Sequence, residues 1–142
     1  MAIADGGDLI ILAPGVRRFG EDDEIDTLIR RFGYKGTPQT MESMRHSHEL
    51  QKNLSAAAHL IHGSSEGRFK IIYCPGYLSK EEIENVGFEY RNLDDVLRQY
   101  DIAHLNNGWN VGTNDDGSID EFYFIRNPAL GLWSLKDRSM KK

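Results

Sequence analysis

A chain of 142 residues with 39% hydrophobic and 27% charged side chains has the size and balance of one globular domain, which sets aside disordered, collagen-like and membrane-spanning classes. Its 17 basic against 22 acidic side chains leave a formal charge of −5, so no summed positive field draws in phosphate backbone or anionic lipid, and neither nucleic acid nor a membrane is an expected partner. The single cysteine excludes an internal disulfide and any multi-cysteine zinc or iron–sulfur site, which suits a reducing compartment and makes the cytoplasm the expected location.

Residues 1–7 have no basic opening, and the apolar run behind them is too short for a signal peptide or a membrane span. After Gly6-Gly7, the run Asp8-Leu9-Ile10-Ile11-Leu12-Ala13 reads as a strand buried on both faces, as in a parallel sheet covered by helices. The loop over residues 14–20 leads into Glu21, Asp22, Asp23, Glu24 and Asp26, whose charges favour the positive end of a helix running through Phe32. Ile25, Leu28, Ile29 and Phe32 recur at i, i+3, i+4 and i+7, and Gly33 ends the helix. Thr37-Pro38 offers a capping hydroxyl and a proline at the first helical position, opening a second helix toward Met41, Met44 and His46. A third helix is expected over about residues 49–61, stopped by Gly63.

Residues 68–74 form the second predicted strand, ended by Pro75-Gly76. Ser79-Lys80-Glu81-Glu82 has the capping-box pattern, so a short helix carries Ile83 and Val86 up to Gly87. A brief third strand over residues 88–90 precedes Asn92, which caps a helix with Leu93, Val96, Leu97 and Tyr100 on one face. Strand, helices, strand, helix, strand, helix is the order of right-handed crossovers in a mostly parallel sheet with helices on both faces. Further on, residues 109–111 and 121–125 bracket the turn-rich Asn114-Asp115-Asp116-Gly117-Ser118, which predicts a C-terminal hairpin or strand pair. The apolar residues 129–133 are expected to pack back on the body. Residues 1–135 then make one α/β domain, and 136–142 a mobile basic tail.

Several side chains invite chemical readings. Arg17 and Arg18 sit in the loop after the first strand, and two guanidinium forks there match a carboxylate or phosphate; Glu21, Asp22 and Asp23 offer the alternative of local ion pairs. His46, His48, His59 and His62 fall within 17 residues, and His59 and His62 lie one helical turn apart, a spacing that metal or proton-transfer sites use. No HExxH pattern or cysteine pair accompanies them, and one buried histidine, one at the helix end near Gly63 and two exposed ones near a helix junction account for them better; no metal site is assigned. Cys74 stands at a strand end where parallel sheets bind ligands, as a nucleophile or as a small buried residue. Residues 63–67 read as a plain polar connector, and Asn53, Leu54, Ser55 and three alanines begin a tightly packed helix. Neither GxGxxG nor GxxxxGK[ST] follows a strand, so the common nucleotide-phosphate sites are unsupported.

Taken together, GGDLIILAPGVRRFGEDDEID, NLSAAAHLIHGSSEGRFKIIYCPG, LSKEEIENVGF and FIRNPALGLW resemble the C-terminal domain of the nickel-dependent lactate racemase family, over about residues 6–133. The resemblance implies a Rossmann-like three-layer α/β lobe of a two-lobed racemase or epimerase acting on 2-hydroxy acids or sugar acids. It also implies a nickel pincer nucleotide in the full-length protein, which takes hydride from the hydroxyl-bearing carbon while a histidine removes the hydroxyl proton. The paired bases, nickel-ligating histidine and cofactor-bearing lysine of that family lie upstream of the matched region, and none of the histidines here matches those motifs. The expectation is therefore a lobe with no catalytic residue and no cofactor of its own, inactive alone, partnered by the N-terminal catalytic lobe of the same polypeptide. Arg17, Arg18, Asn53, Leu54 and His59 are the candidates for the wall of its substrate or cofactor cleft. An aromatic residue at the start of the family's corresponding helix falls near Asn53 or Leu54, which puts lactate itself in doubt and suits a larger polyol acid. The competing readings are a stand-alone ligand-binding or interaction module docking through Leu130, Leu132 and Trp133, and a small enzyme using Cys74.

Overall fold

A computed structural model of the protein describes residues 3–127, which fall into two compact units, Ile3–Val96 and a second beginning at Leu97. The first holds a three-stranded parallel sheet in the order β1 (Asp8–Ala13), β2 (Lys70–Pro75), β3 (Glu89–Tyr90), with β1 and β2 in register from Asp8 opposite Lys70 to Ala13 opposite Pro75. Between the strands run α1 (Asp23–Phe32), α2 (Thr37–His46), α3 (His48–Lys52), α4 (Leu54–His62) and α5 (Lys80–Asn85), and α6 (Leu93–Gln99) follows β3. The second unit is built on an antiparallel hairpin of β4 (Gly108–Thr113) and β5 (Ile119–Phe124). This mixed α/β architecture, parallel sheet plus hairpin, is the fold class the sequence implies.

The burial of the strands departs from the sequence reading. β2, with a neighbour on each side, is the buried strand from Ile71 to Pro75. β1 is an edge strand, and its apolar residues 9–12 are only half-buried among the described residues. Sequential strand order with right-handed crossovers sends the α1–α4 and α5 connections across the same face of the sheet. That face carries Ile11, Ala13, Tyr73 and Tyr90, and Ile83 of α5 packs on it together with Leu78. Phe19 and Phe88 belong both to this cluster and to the one that joins Ile25, Leu28 and Ile29 of α1 to Leu50 of α3 and Ala56, Ala57 and Leu60 of α4. Tyr73 stacks on Phe88 with ring centroids 5.7 Å apart and meets Phe19 edge-on at 6.4 Å, so aromatic rings tie helices to sheet. Each aliphatic side chain buried here stabilises the fold by about 1.5–3 kcal/mol relative to exposure.

Helix boundaries follow local chemistry. Asp22 caps α1 by accepting from the Ile25 amide at 2.8 Å, and Gly33, at φ +71°, turns the chain out while its N–H donates to the Ile29 carbonyl. The single helix expected over 49–61 is two: Asn53 closes α3 and its side chain caps α4 by accepting from the Ala56 amide at 3.0 Å, a local bond that competes with helix continuation. The predicted capping role of Thr37 is also not what occurs. Its N–H and its hydroxyl both donate to the Glu66 carboxylate, which caps α2 from 29 residues away. The capping box at Ser79 and Glu82 forms in both directions.

In the hairpin, Gly117 at φ +83° and the Asn114–Ser118 backbone bond close the turn. Trp109 faces Tyr123 across the ladder in a T-shaped pair. Tyr100 donates to Asp120 at 3.0 Å and packs edge-on against Phe122. Among the described residues, no helix is long and apolar enough to cross a membrane. The apolar run at 129–133 and the basic tail at 136–142 lie outside the described residues.

Candidate functional site

The C-terminal ends of β1, β2 and β3 bring three loops together, the edge at which parallel α/β sheets bind ligands. The first two loops touch backbone to backbone: a β-carbon on Gly76 would lie 2.1 Å from the Pro14 carbonyl oxygen, and the Gly76 N–H donates to the Ala13 carbonyl at 3.1 Å. Buried Leu78 anchors the second loop against Ala13, Tyr73 and Ile83. From this fixed junction Arg17 and Tyr77 project together, with the Arg17 guanidinium 4.0 Å from the centre of the Tyr77 ring and both side chains exposed.

The two adjacent arginines have different fates. Arg18 donates to Asp23 at 3.0 Å and to the Glu21 carbonyl at 2.6 Å, the local pairing that the neighbouring acids allow. Asp22 is occupied as the cap of α1. Asp26 accepts from the Phe19 and Gly20 amides and from Arg30 at 2.7 Å; burial pushes its carboxyl pKa up, but these bonds and the Arg30 charge outweigh that and hold it below its ordinary value. Arg30 reaches on to Glu82 at 2.7 Å, which raises the guanidinium pKa and fastens α1 to α5. With these carboxylates engaged, Arg17 has no carboxylate partner among the described residues. Arg91 lies just beyond β3, its backbone N–H donating to the Tyr73 carbonyl, and has no carboxylate partner among the described residues either.

The other sequence candidates take different places. Asn53 is a structural cap, and Leu54, beside it at the start of α4, is 66% exposed. His59 is half-buried and lies about 7.5 Å beyond Leu54 along the same helix by its rise per residue. It sits one turn from Gly63, whose N–H it binds through its carbonyl. His62 and His48 are exposed, and His46 Nε2 lies 2.9 Å from Glu42 Oε1 on its own helix. No group of three or more His, Cys, Asp or Glu side chains that could hold a metal ion forms among the described residues. Cys74 is fully buried; burial pushes its thiol pKa up, against a smaller opposing pull from the Arg91 charge, and a buried neutral thiol is a poor nucleophile.

Two open cavities lie away from the arginine edge. One, of about 370 Å³, opens at the start of β2 and β3 and is lined by Tyr34, Ser65, Lys70 and Glu89 among others. Burial there pushes the Tyr34 phenol up to about 12, so it is a neutral hydrogen-bonding group. The other, of about 420 Å³, runs along α1 between Glu24, Thr27 and Glu49. Sequence reading missed Tyr77, two residues past the end of β2, and Arg91, which directly follows β3; that position beyond a strand end is the signal that points to them.

No protein-family model and no curated protein matches the chain. Its fold is similar to a structural-genomics crystal structure of a protein from Thermotoga maritima, with a TM-score of 0.55 and 26% sequence identity over 65% of this chain. The match covers 24% of that protein, so this chain spans about a quarter of the length of the solved relative.

Proposed function

We propose that this chain is the C-terminal lobe of a larger hydroxy-acid racemase or epimerase of the lactate-racemase type, and that it supplies one wall of the substrate cleft. The observation that carries the reading is the C-terminal edge of the sheet, where Arg17 on Tyr77 presents an exposed cation without a carboxylate partner among the described residues. A 2-hydroxy acid or sugar acid carries the carboxylate such an edge is suited to meet. Likeness to a solved protein of which this chain spans about a quarter supports a lobe within a longer polypeptide. The reaction type rests on the phrases of sequence that resemble the racemase family.

For the nickel pincer nucleotide implied by that family, the described residues offer no cluster of ligands. His59 and His62 gather no third donor among the described residues, and the Cys74 thiol is enclosed. On this reading the bases and the cofactor belong to the N-terminal lobe, and this lobe binds, orients and excludes water. The test is to incubate single enantiomers or epimers of a panel of 2-hydroxy acids and sugar acids with the intact polypeptide, and separately with residues 1–142 alone. Interconversion by the intact protein and none by the lobe is expected. Failure of the intact, cofactor-loaded protein to convert any member of the panel would overturn the assignment.

A further inference from the structure

The sequence reading treats Arg17 and Arg18 as an equivalent pair. The structure separates them: Arg18 is held by Asp23 and the Glu21 carbonyl, whereas Arg17 lies over the Tyr77 ring with no carboxylate partner among the described residues. An exposed arginine loses rotamer freedom when it binds an anion, and a ring that already supports the guanidinium lowers that cost. Tyr77 is in turn fixed. It stands between Gly76, whose backbone abuts Pro14, and buried Leu78, so the loop that carries it cannot move independently of the loop that carries Arg17. The guanidinium carbon lies 4.0 Å from the ring centre, and a guanidinium fork in such a contact can still make two parallel bonds to a carboxylate.

We propose that Arg17 is the carboxylate-binding residue of this lobe and that Tyr77 is its positioning residue, together holding the carboxylate of a 2-hydroxy acid or sugar acid. The choice of a hydroxy acid rests on the racemase reading; the carboxylate site itself rests only on the geometry. Neighbouring strands are about 4.8 Å apart, so Arg91 at the end of β3 stands about 10 Å from the β1 end, adding positive charge to the edge without sharing the fork.

The experiment is an amide NMR titration of the 142-residue chain with L-lactate, D-lactate and inorganic phosphate as probes. Lactate is expected to shift the amides of residues 15–18 and 76–78. Arg17→Gln weakens binding about tenfold or more, as loss of a charge-assisted bidentate contact should, while Arg18→Gln leaves it intact. Tyr77→Leu weakens binding and Tyr77→Phe preserves it, a rescue that a role for the hydroxyl would not show. Absence of lactate shifts in the wild-type chain, or equal binding by Arg17→Gln, overturns the site. Saturation of the same amides by phosphate at concentrations where lactate has no effect overturns the carboxylate assignment. In the intact polypeptide, Arg17→Gln should raise KM for the hydroxy acid more than it lowers kcat. If Arg17-dependent lactate binding persists while the intact protein turns over no hydroxy acid, the racemase reading fails and the carboxylate site stands.

Discussion

At the scale of single residues, the protein is governed by side chains whose environments leave few alternatives. Gly76 is one: any β-carbon there collides with the Pro14 backbone at 2.1 Å, and backbone on both sides cannot give way. Gly76→Ala is expected to lower stability by about 1–3 kcal/mol, as overpacking does, and to displace Tyr77 from Arg17. Thermal unfolding measures the first effect and the amide shifts of residues 15–18 the second. Leu60 of α4, fully buried in the cluster it shares with α1, tests the core: Leu60→Ala should cost about 2–5 kcal/mol in denaturant unfolding. Cys74 tests the exclusion of thiol chemistry. Because it is fully buried with its thiol pKa raised, it should react with a thiol reagent only on unfolding, and alkylation at a native rate would contradict its placement.

At the scale of elements, the helices differ in what fixes their ends. α1 was legible because its acids, its apolar spacing and Gly33 are all local, and the Ser79 capping box was legible for the same reason. The break at Asn53 was not, because an asparagine within an otherwise helical run gives no sign of whether its side chain will serve the solvent or the Ala56 amide. The α2 cap was hidden by distance: Glu66 lies 29 residues from Thr37, in a loop that reads as a connector. The Arg30–Glu82 pair between α1 and α5 and the Arg17–Tyr77 contact were hidden in the same way, since spacing along a chain does not report which loops fold against each other. Glu66→Gln should speed amide exchange at Thr37 and the turn that follows while leaving α1 protected. Equal exchange in both proteins would show that Glu66 does not hold that helix end. Asn53→Ala should cost about 1 kcal/mol and loosen the start of α4, where Leu54 stands exposed.

At the scale of the whole molecule, protonation sets a pH window for stability. Asp26 is pushed up by burial but held below its ordinary value by Arg30 and two backbone amides, and Glu66, Glu82 and Asp116 are lowered by hydrogen bonds. Groups whose folded pKa is depressed add stability that is present above the unfolded carboxylate range, about 4, and is lost as pH falls through the folded values. Tyr34 and Tyr73 are raised by burial, Tyr34 to about 12, so their contribution is intact below the ordinary phenol range and is lost as pH rises through the folded values. Stability measured by denaturant should therefore be flat between these limits and fall on both sides. A fall centred near neutral pH would assign the dependence to histidine instead.

The central claim, that this fold is one lobe of a larger enzyme, is tested most directly by reading the gene upstream of codon 1. The account predicts that the frame stays open for several hundred codons and encodes paired histidines and a lysine of a catalytic lobe. An in-frame stop with a separate ribosome-binding site before Met1 would contradict it and make the arginine edge the binding surface of an independent protein.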